Sequence, residues 1–220
     1  MDAVADVQPC PPRVVKFFGG IRPELTAPFL ANAPLAAFNV RNTVATVAAF
    51  RAKHGPKSLI VVEGAGWFFS NYTSLYRDMV IAGSVQVPNG DARLPRIDTR
   101  DIGEAIAACL QRWDEFAGED IWLTGGELKR ESEMVATLSS VTGKAISYAD
   151  EACPAMREEL EQVPLFGEHT LWDFMVQLWT VEKNGQPFAP PREESLERIT
   201  GGRYRRWEDF VRESAHHWTQ

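Results

Sequence analysis

Ser58-Leu-Ile-Val-Val-Glu63, followed at once by Gly64-Ala-Gly-Trp67, is the stretch on which the fold turns. Leu59, Ile60, Val61 and Val62 form a continuous apolar run, mostly β-branched and too short for an ordinary helix. That pattern fits a strand buried on both faces rather than one with a wet side. Gly55-Pro56 stops the preceding segment, and the glycines after Glu63 turn the chain at the strand's carboxyl end. Strands of this kind belong to parallel sheets covered by helices.

The flanks repeat the pattern. Upstream, Arg13-Val-Val-Lys-Phe-Phe18 reads as another buried strand, closed by Gly19-Gly20. Residues 1–7 read as the end of a helix stopped by Pro9, Pro11 and Pro12. Residues 21–34 read as a loop, and 35–53 as a helix with Phe38, Val44, Val47 and Phe50 as its apolar positions. Downstream, the turn at 64–67 is expected to open a helix carrying Phe68, Phe69, Tyr72, Leu75 and Tyr76. A short strand is predicted at 84–87, a turn at Asn89-Gly-Asp91 and an extended piece at 97–99. A helix follows over 101–113, with Ile102, Ala105, Ile106 and Cys109 on one face. Asp98 or Thr99 caps it, and Asp101 complements the dipole of its first turn. A third strand spans 120–124 before Gly125-Gly126, a helix 130–141 and a short strand 145–148. Beyond residue 150 the chain reads as helical over 150–162, 168–184 and 207–217, with a proline-marked loop near 186–191. Strands alternating with helices predict an α/β fold with a parallel sheet and a helical lobe after it.

Composition narrows the classes of function. The chain has 220 residues and a net charge of −7, which disfavours sequence-independent nucleic-acid binding. Cys10, Cys109 and Cys153 are scattered, so neither a disulfide framework nor a zinc spacing is read, and no metal site is expected. No apolar run is long enough to span a bilayer, and the first residues lack signal-peptide features. A cytoplasmic protein is the expectation.

Familiar catalytic motifs are missing. Gly64-Ala-Gly-Trp-Phe-Phe69 fails as a dinucleotide loop, because Trp67, Phe68 and Phe69 crowd the place where glycines let pyrophosphate approach. Gly143-Lys144 lacks the upstream glycine of a phosphate loop. There is no G-x-S-x-G elbow, and no Tyr is followed by Lys four residues later.

Two longer stretches are distinctive together: Ile60-Val-Val-Glu-Gly-Ala-Gly-Trp-Phe-Phe-Ser-Asn71 and Val87-Pro-Asn-Gly-Asp-Ala-Arg-Leu-Pro-Arg-Ile-Asp-Thr-Arg-Asp-Ile-Gly103. Their order and separation resemble the NmrA-like branch of the atypical short-chain dehydrogenases/reductases. Ile121-Trp-Leu-Thr-Gly-Gly126, Gly143-Lys-Ala-Ile-Ser-Tyr148 and Ile199-Thr-Gly-Gly-Arg-Tyr-Arg-Arg-Trp-Glu-Asp-Phe-Val211 are similar to later family segments, so the resemblance runs from about 13 to 215. It implies a partial Rossmann-like domain over 1–149 and a helical substrate-pocket lobe over 150–220. It also implies that family members carry more chain before the strand at Arg13, holding the first βαβ units and the glycine-rich loop. The sequence therefore reads as truncated relative to the family, with no complete cofactor site. By resemblance NAD(P) remains the implied cofactor, with Phe18, Gly19, Gly20 and Arg41 at what is left of its site. Arg41 stands in the helix where reductase relatives place a Lys, and an Arg cannot serve as a tunable acid or base.

Ligands of open α/β sheets sit at the carboxyl ends of the strands. Residues 18–20, 64–69 and 124–126 are therefore expected around one mouth. Trp67, Phe68, Asn71 and Tyr72 would line it, with Trp172, Phe174, Met175 and Trp179 as a lid, or else these aromatics are core. Glu63 at a strand end and His169 are the candidate proton-moving groups. Three activities stay open. One is an oxidoreductase homologue acting on a small hydrophobic or aromatic metabolite, of the kind found in specialised metabolism. Another is a cofactor-independent cyclase, isomerase or dehydratase on this scaffold. The last is a non-enzymatic regulator, with a protein partner or a second copy pairing at an exposed sheet edge.

Overall fold

The computed structural model describes residues 12–19, 33–64, 67–165, 167–183 and 193–219. The expected helix end at 1–7, most of the loop at 21–34, Gly20, the turn residues Ala65 and Gly66 and the proline loop near 186–191 lie outside the described residues.

Three parallel strands form the first sheet: β1 (Val14–Gly19), β2 (Leu59–Gly64) and β6 (Asp120–Leu123), in the order β1-β2-β6. The continuous apolar run of β2 puts it in the centre, where both of its edges are paired. Val62 faces Phe17 on one side and Ile121 on the other. β1 and β2 are joined by a crossover that contains α1 (Pro34–His54). This helix ends as its sequence predicts: Gly55 takes φ 93° and donates its N–H to the Arg51 carbonyl at 2.9 Å. Phe50 of α1 is buried against Leu59 and Val61, whereas Phe38 and Val44 are exposed.

The segment after β2 differs from its expectation. Instead of one helix, Trp67–Phe68 forms a two-residue strand, β3, paired with Arg96 and Ile97 of β5 (Leu94–Ile97). A 3-10 turn over Phe69–Thr73 follows, and only then α2 (Arg77–Ala82). The two bulky aromatics extend because strand pairing lets them face opposite cores: Trp67 packs with the second core, and Phe68 against the first. β5 also pairs antiparallel with β7 (Leu128–Lys129), so the predicted parallel arrangement extends to most strand pairs but not to this one. A further parallel pair joins β4 (Ser84–Gln86) to β8 (Ser147–Ala149).

Between β5 and β6 lie α3 (Thr99–Gln111) and the short α4 (Trp113–Phe116). Of the two caps its sequence offers, Asp98 caps α3, accepting from the Arg100 N–H at 2.9 Å. The later helices are α5 (Glu131–Thr142), α6 (Pro154–Glu161), α7 (Leu171–Lys183), α8 (Glu193–Thr200) and α9 (Trp207–Ser214).

Side chains gather into two large cores. The first is mostly aliphatic and lies between the β1-β2-β6 sheet, α3 and α8, with Ile60, Val62, Ile102, Leu123 and Ile199 at its heart. The second is aromatic and joins the 67–87 segment to α5, α7 and α9 through Trp67, Tyr72, Tyr76, Trp179 and Trp207. Cys109 belongs to the first and Cys153 to the second, both as buried free thiols. No helix of the described residues is long and apolar enough to cross a membrane.

Candidate functional site

A cavity of 290 Å³ opens where the two cores meet, beyond the carboxyl end of β6. Its apolar wall includes Phe69, Met134 and Tyr204, and its polar wall includes Arg96, Lys129 and Arg203. The position follows from chain order. Gly126 ends the turn after β6, β7 crosses beside it, and the strap between α8 and α9 passes over the opening. Tyr204 of that strap packs on the first core, and Trp207, which opens α9, is buried in the second. Ionic contacts hold the strap down. Arg205 donates its backbone N–H to Asp101 at 3.0 Å, and its guanidinium pairs with Asp101 and Glu104. Burial raises the Asp101 carboxyl, while its bonds from Arg205 pull the other way.

The floor is fixed by a close backbone approach. Gly125 sits so near the Arg96 carbonyl oxygen that a Cβ there would lie 1.5 Å from it. Only glycine fits, and this contact ties the turn after β6 to β5.

Behind the floor lies a buried polar network. Arg96 and Glu131 form an ion pair inside the protein, both nearly inaccessible. The Tyr72 hydroxyl donates to the other carboxylate oxygen of Glu131, and Asn89 Nδ2 donates to Glu131 Oε2 at 3.1 Å. Burial first, and then the Glu131 charge, raise the Tyr72 phenol, so it stays protonated as a donor. Glu182 of α7 accepts from the Trp67 indole. Burial pushes Glu182 up to about 8; the Trp67 bond and Arg96 oppose that rise and the Glu131 charge adds to it. Three polar atoms of this region, Arg96 Nε, Glu182 Oε2 and Trp179 Nε1, are buried without a hydrogen-bond partner.

The residues singled out from the sequence fall into three places. Trp67, Tyr72, Met175 and Trp179 are buried in the second core; Trp67 and Trp179 stack with ring centroids 6.5 Å apart. Trp172 meets Trp179 edge-on at 5.5 Å, and Phe174 packs against the same core. Phe68 packs toward Phe17, and Asn71 accepts the Tyr76 N–H in the 3-10 turn. None of these lines the cavity, whose aromatic wall comes instead from the next residue, Phe69, and from Tyr204. Glu63 is half-buried in β2, in register with Phe18 and Trp122. His169 is 56% exposed, with Nδ1 3.8 Å from Asp173. Gly19 stands beside Gly64 at the ends of β1 and β2. Arg41 is exposed on α1.

These last residues bear on the implied nicotinamide cofactor. The resemblance puts that cofactor near the paired strand ends at Gly19 and Gly64. The described residues do not add the tight glycine turn opening a helix that cradles pyrophosphate in this class of fold. The first turn of α1 is occupied differently: the Leu35 N–H donates to Gln177 Oε1 at 2.9 Å. Among the described residues, Gly19 and Gly64 stand side by side at the strand ends, and no glycine turn of that kind accompanies them.

Reading for motifs passed over Arg96, Glu131 and Glu182. A signal was present for Arg96 and Glu182. Arg96 interrupts the apolar Leu94-Pro-Arg-Ile97, and Glu182 sits three residues after Trp179 in a helix otherwise rich in apolar residues.

No protein-family model matches the sequence, and no curated protein matches it. Solved structures do match. A nucleoside-diphosphate-sugar epimerase from Staphylococcus aureus superposes with a TM-score of 0.62 at 15% identity, over 90% of this chain and 63% of that one. The triphenylmethane reductase of Citrobacter sp., complexed with NADP(H), gives 0.62 at 15% identity over 93% and 76%. An NADPH-dependent quinone oxidoreductase from Escherichia coli gives 0.57 at 15% identity over 74% and 69%. The chain thus spans 63% of the length of the epimerase it resembles. It is an α/β protein of the Rossmann-like type. At the level of fold, the comparisons agree with the resemblance drawn from its sequence.

Proposed function

We propose that this chain is an NmrA-like oxidoreductase homologue that takes a small hydrophobic or aromatic metabolite in the cavity between its two cores. The observation that carries the reading is the cavity's position beyond the carboxyl end of β6, where open α/β folds bind their ligands. Phe69, Met134 and Tyr204 supply apolar wall for such a body. The NADP(H) complex of the Citrobacter reductase supports NAD(P) as the second ligand, near Gly19 and Gly64. In this reading Glu63, near those strand ends, moves the proton, and exposed His169 has the weaker claim. Trp67 and Tyr72 act one layer behind the wall, holding the carboxylates that face Arg96.

The test is a titration of NADPH and NADH against the purified chain, followed by the fluorescence of its seven tryptophans. Saturation with a Kd tighter than roughly 10 µM, about −7 kcal/mol, is the expected result. Absence of saturation at millimolar nucleotide overturns the cofactor-dependent reading in favour of cofactor-independent chemistry.

A further inference from the structure

We infer that the cavity's ligand carries an anionic group, a carboxylate or a phosphate, which seats between Arg96 and Arg203. This rests on reading the cavity as the ligand site, and deepens that reading by naming the charge of its ligand.

The argument is one of charge pairing. The cations of the wall differ in how fully protein carboxylates satisfy them. Lys129 lies 2.8 Å from Glu208 and 3.3 Å from Glu127. Arg205 is held by Asp101 and Glu104, and Arg206 reaches Glu127 at 3.6 Å. Arg203 lines the cavity and makes no ion pair with any described residue. Arg96 is the more informative. Its Nη2 is committed to Glu131, but its Nε–H is buried without an acceptor on a residue that lines the cavity. A buried N–H left without an acceptor costs stability, and a charged one costs more. Guanidinium groups present their donors as a planar fork that matches a carboxylate or phosphate. An anion in the cavity would lie against Arg96, whose buried Nε–H has no acceptor, and beside Arg203, which no carboxylate of the described residues pairs. Glu197 and Arg203 are both exposed to water at the rim, and the other wall carboxylate, Glu127, is held by Lys129 and Arg206, so the cations of the wall outnumber its carboxylates. The apolar side formed by Phe69, Met134 and Tyr204 then takes the rest of the ligand.

The experiment is isothermal titration of the full chain at low ionic strength with sodium benzoate, inorganic phosphate and benzamide, the neutral counterpart of benzoate. Benzoate, phosphate or both are expected to bind, with benzamide at least tenfold weaker than benzoate wherever benzoate binds. The benzoate and phosphate arms separate the two anion chemistries. Arg203→Ala changes an exposed side chain and is expected to weaken the anion by on the order of tenfold, as loss of a charged hydrogen bond would. Arg96→Lys keeps the charge but removes the fork. It is expected to weaken the anion while melting curves report whether the fold is kept. Failure of both anions to bind, benzamide binding as tightly as benzoate, or an Arg203→Ala chain with unchanged anion affinity overturns the inference. The nucleotide titration stands apart from this. Anion binding without nucleotide binding would sink the oxidoreductase reading and keep this one; nucleotide binding without discrimination against benzamide would do the reverse.

Discussion

The two cores of this chain are built on different principles. The core under the β1-β2-β6 sheet is a stack of aliphatic side chains whose positions follow from continuous apolar runs. The core around Trp67, Tyr72 and Trp207 is aromatic and encloses Arg96, Glu131 and Glu182, all 4% exposed or less. Hydrophobic burial is non-directional and tolerates small changes of shape. A buried charge tolerates few, because its partners must stand at fixed distances or leave it uncompensated. The second core is therefore the more brittle of the two, and it is the one whose polar network lies behind the floor of the cavity.

Three substitutions break or sharpen that contrast. Glu131→Ala removes the partner of Arg96 and the acceptor of Tyr72 and Asn89 in one step. It is expected to destabilise the chain by about 3–5 kcal/mol, read from urea unfolding. A loss under about 1 kcal/mol would mean that water reaches Arg96 and that the second core is less sealed than its burial implies.

Glu182 gives the second core a pH dependence. Its folded value near 8 lies above that of an ordinary carboxylate, so between the two the folded chain keeps a proton the unfolded chain has released. Rising pH through that window therefore works against folding, by up to about 1.4 kcal/mol per pH unit. Glu182→Gln keeps an acceptor for the Trp67 indole without the titration. Its melting temperature is expected to fall less than that of the unaltered chain between pH 5 and 8. Parallel melting curves would show that the carboxyl is not the source of the slope.

The smallest effect is expected in the first core. Ile60→Val deletes one methylene from the centre of the sheet and should cost about 1 kcal/mol, with little change in ligand binding. A Glu131→Ala effect no larger than this one would erase the distinction between the cores.

The same contrast explains what was legible in the sequence. β1, β2 and β6, the helix ended by Gly55 and the cap at Asp98 were readable because each depends on neighbours within a few residues. Two-residue β3 was not, since alternation cannot show over so short a span and its pairing with β5 comes from chain almost thirty residues on. The resemblance carried the fold further than periodicity did, but it did not reveal the polar wall. Arg96 and Glu131 lie 35 residues apart, and although Arg96 interrupts an apolar run, nothing near Glu131 marks it as the partner. The aromatics were visible as a group. Whether each faced the cavity or the interior depends on which neighbour it stacks on, and sequence spacing does not encode that.

Gly125 has a consequence for descent as well as for shape. Every replacement adds at least one carbon where the Arg96 oxygen already stands. In a lineage that keeps this floor the position has no neutral neighbours, so drift is closed to it even where the surrounding turn is free to change. A homologue carrying any other residue there would have rebuilt the seam between β5 and β6, and with it the lodging of whatever molecule that seam receives.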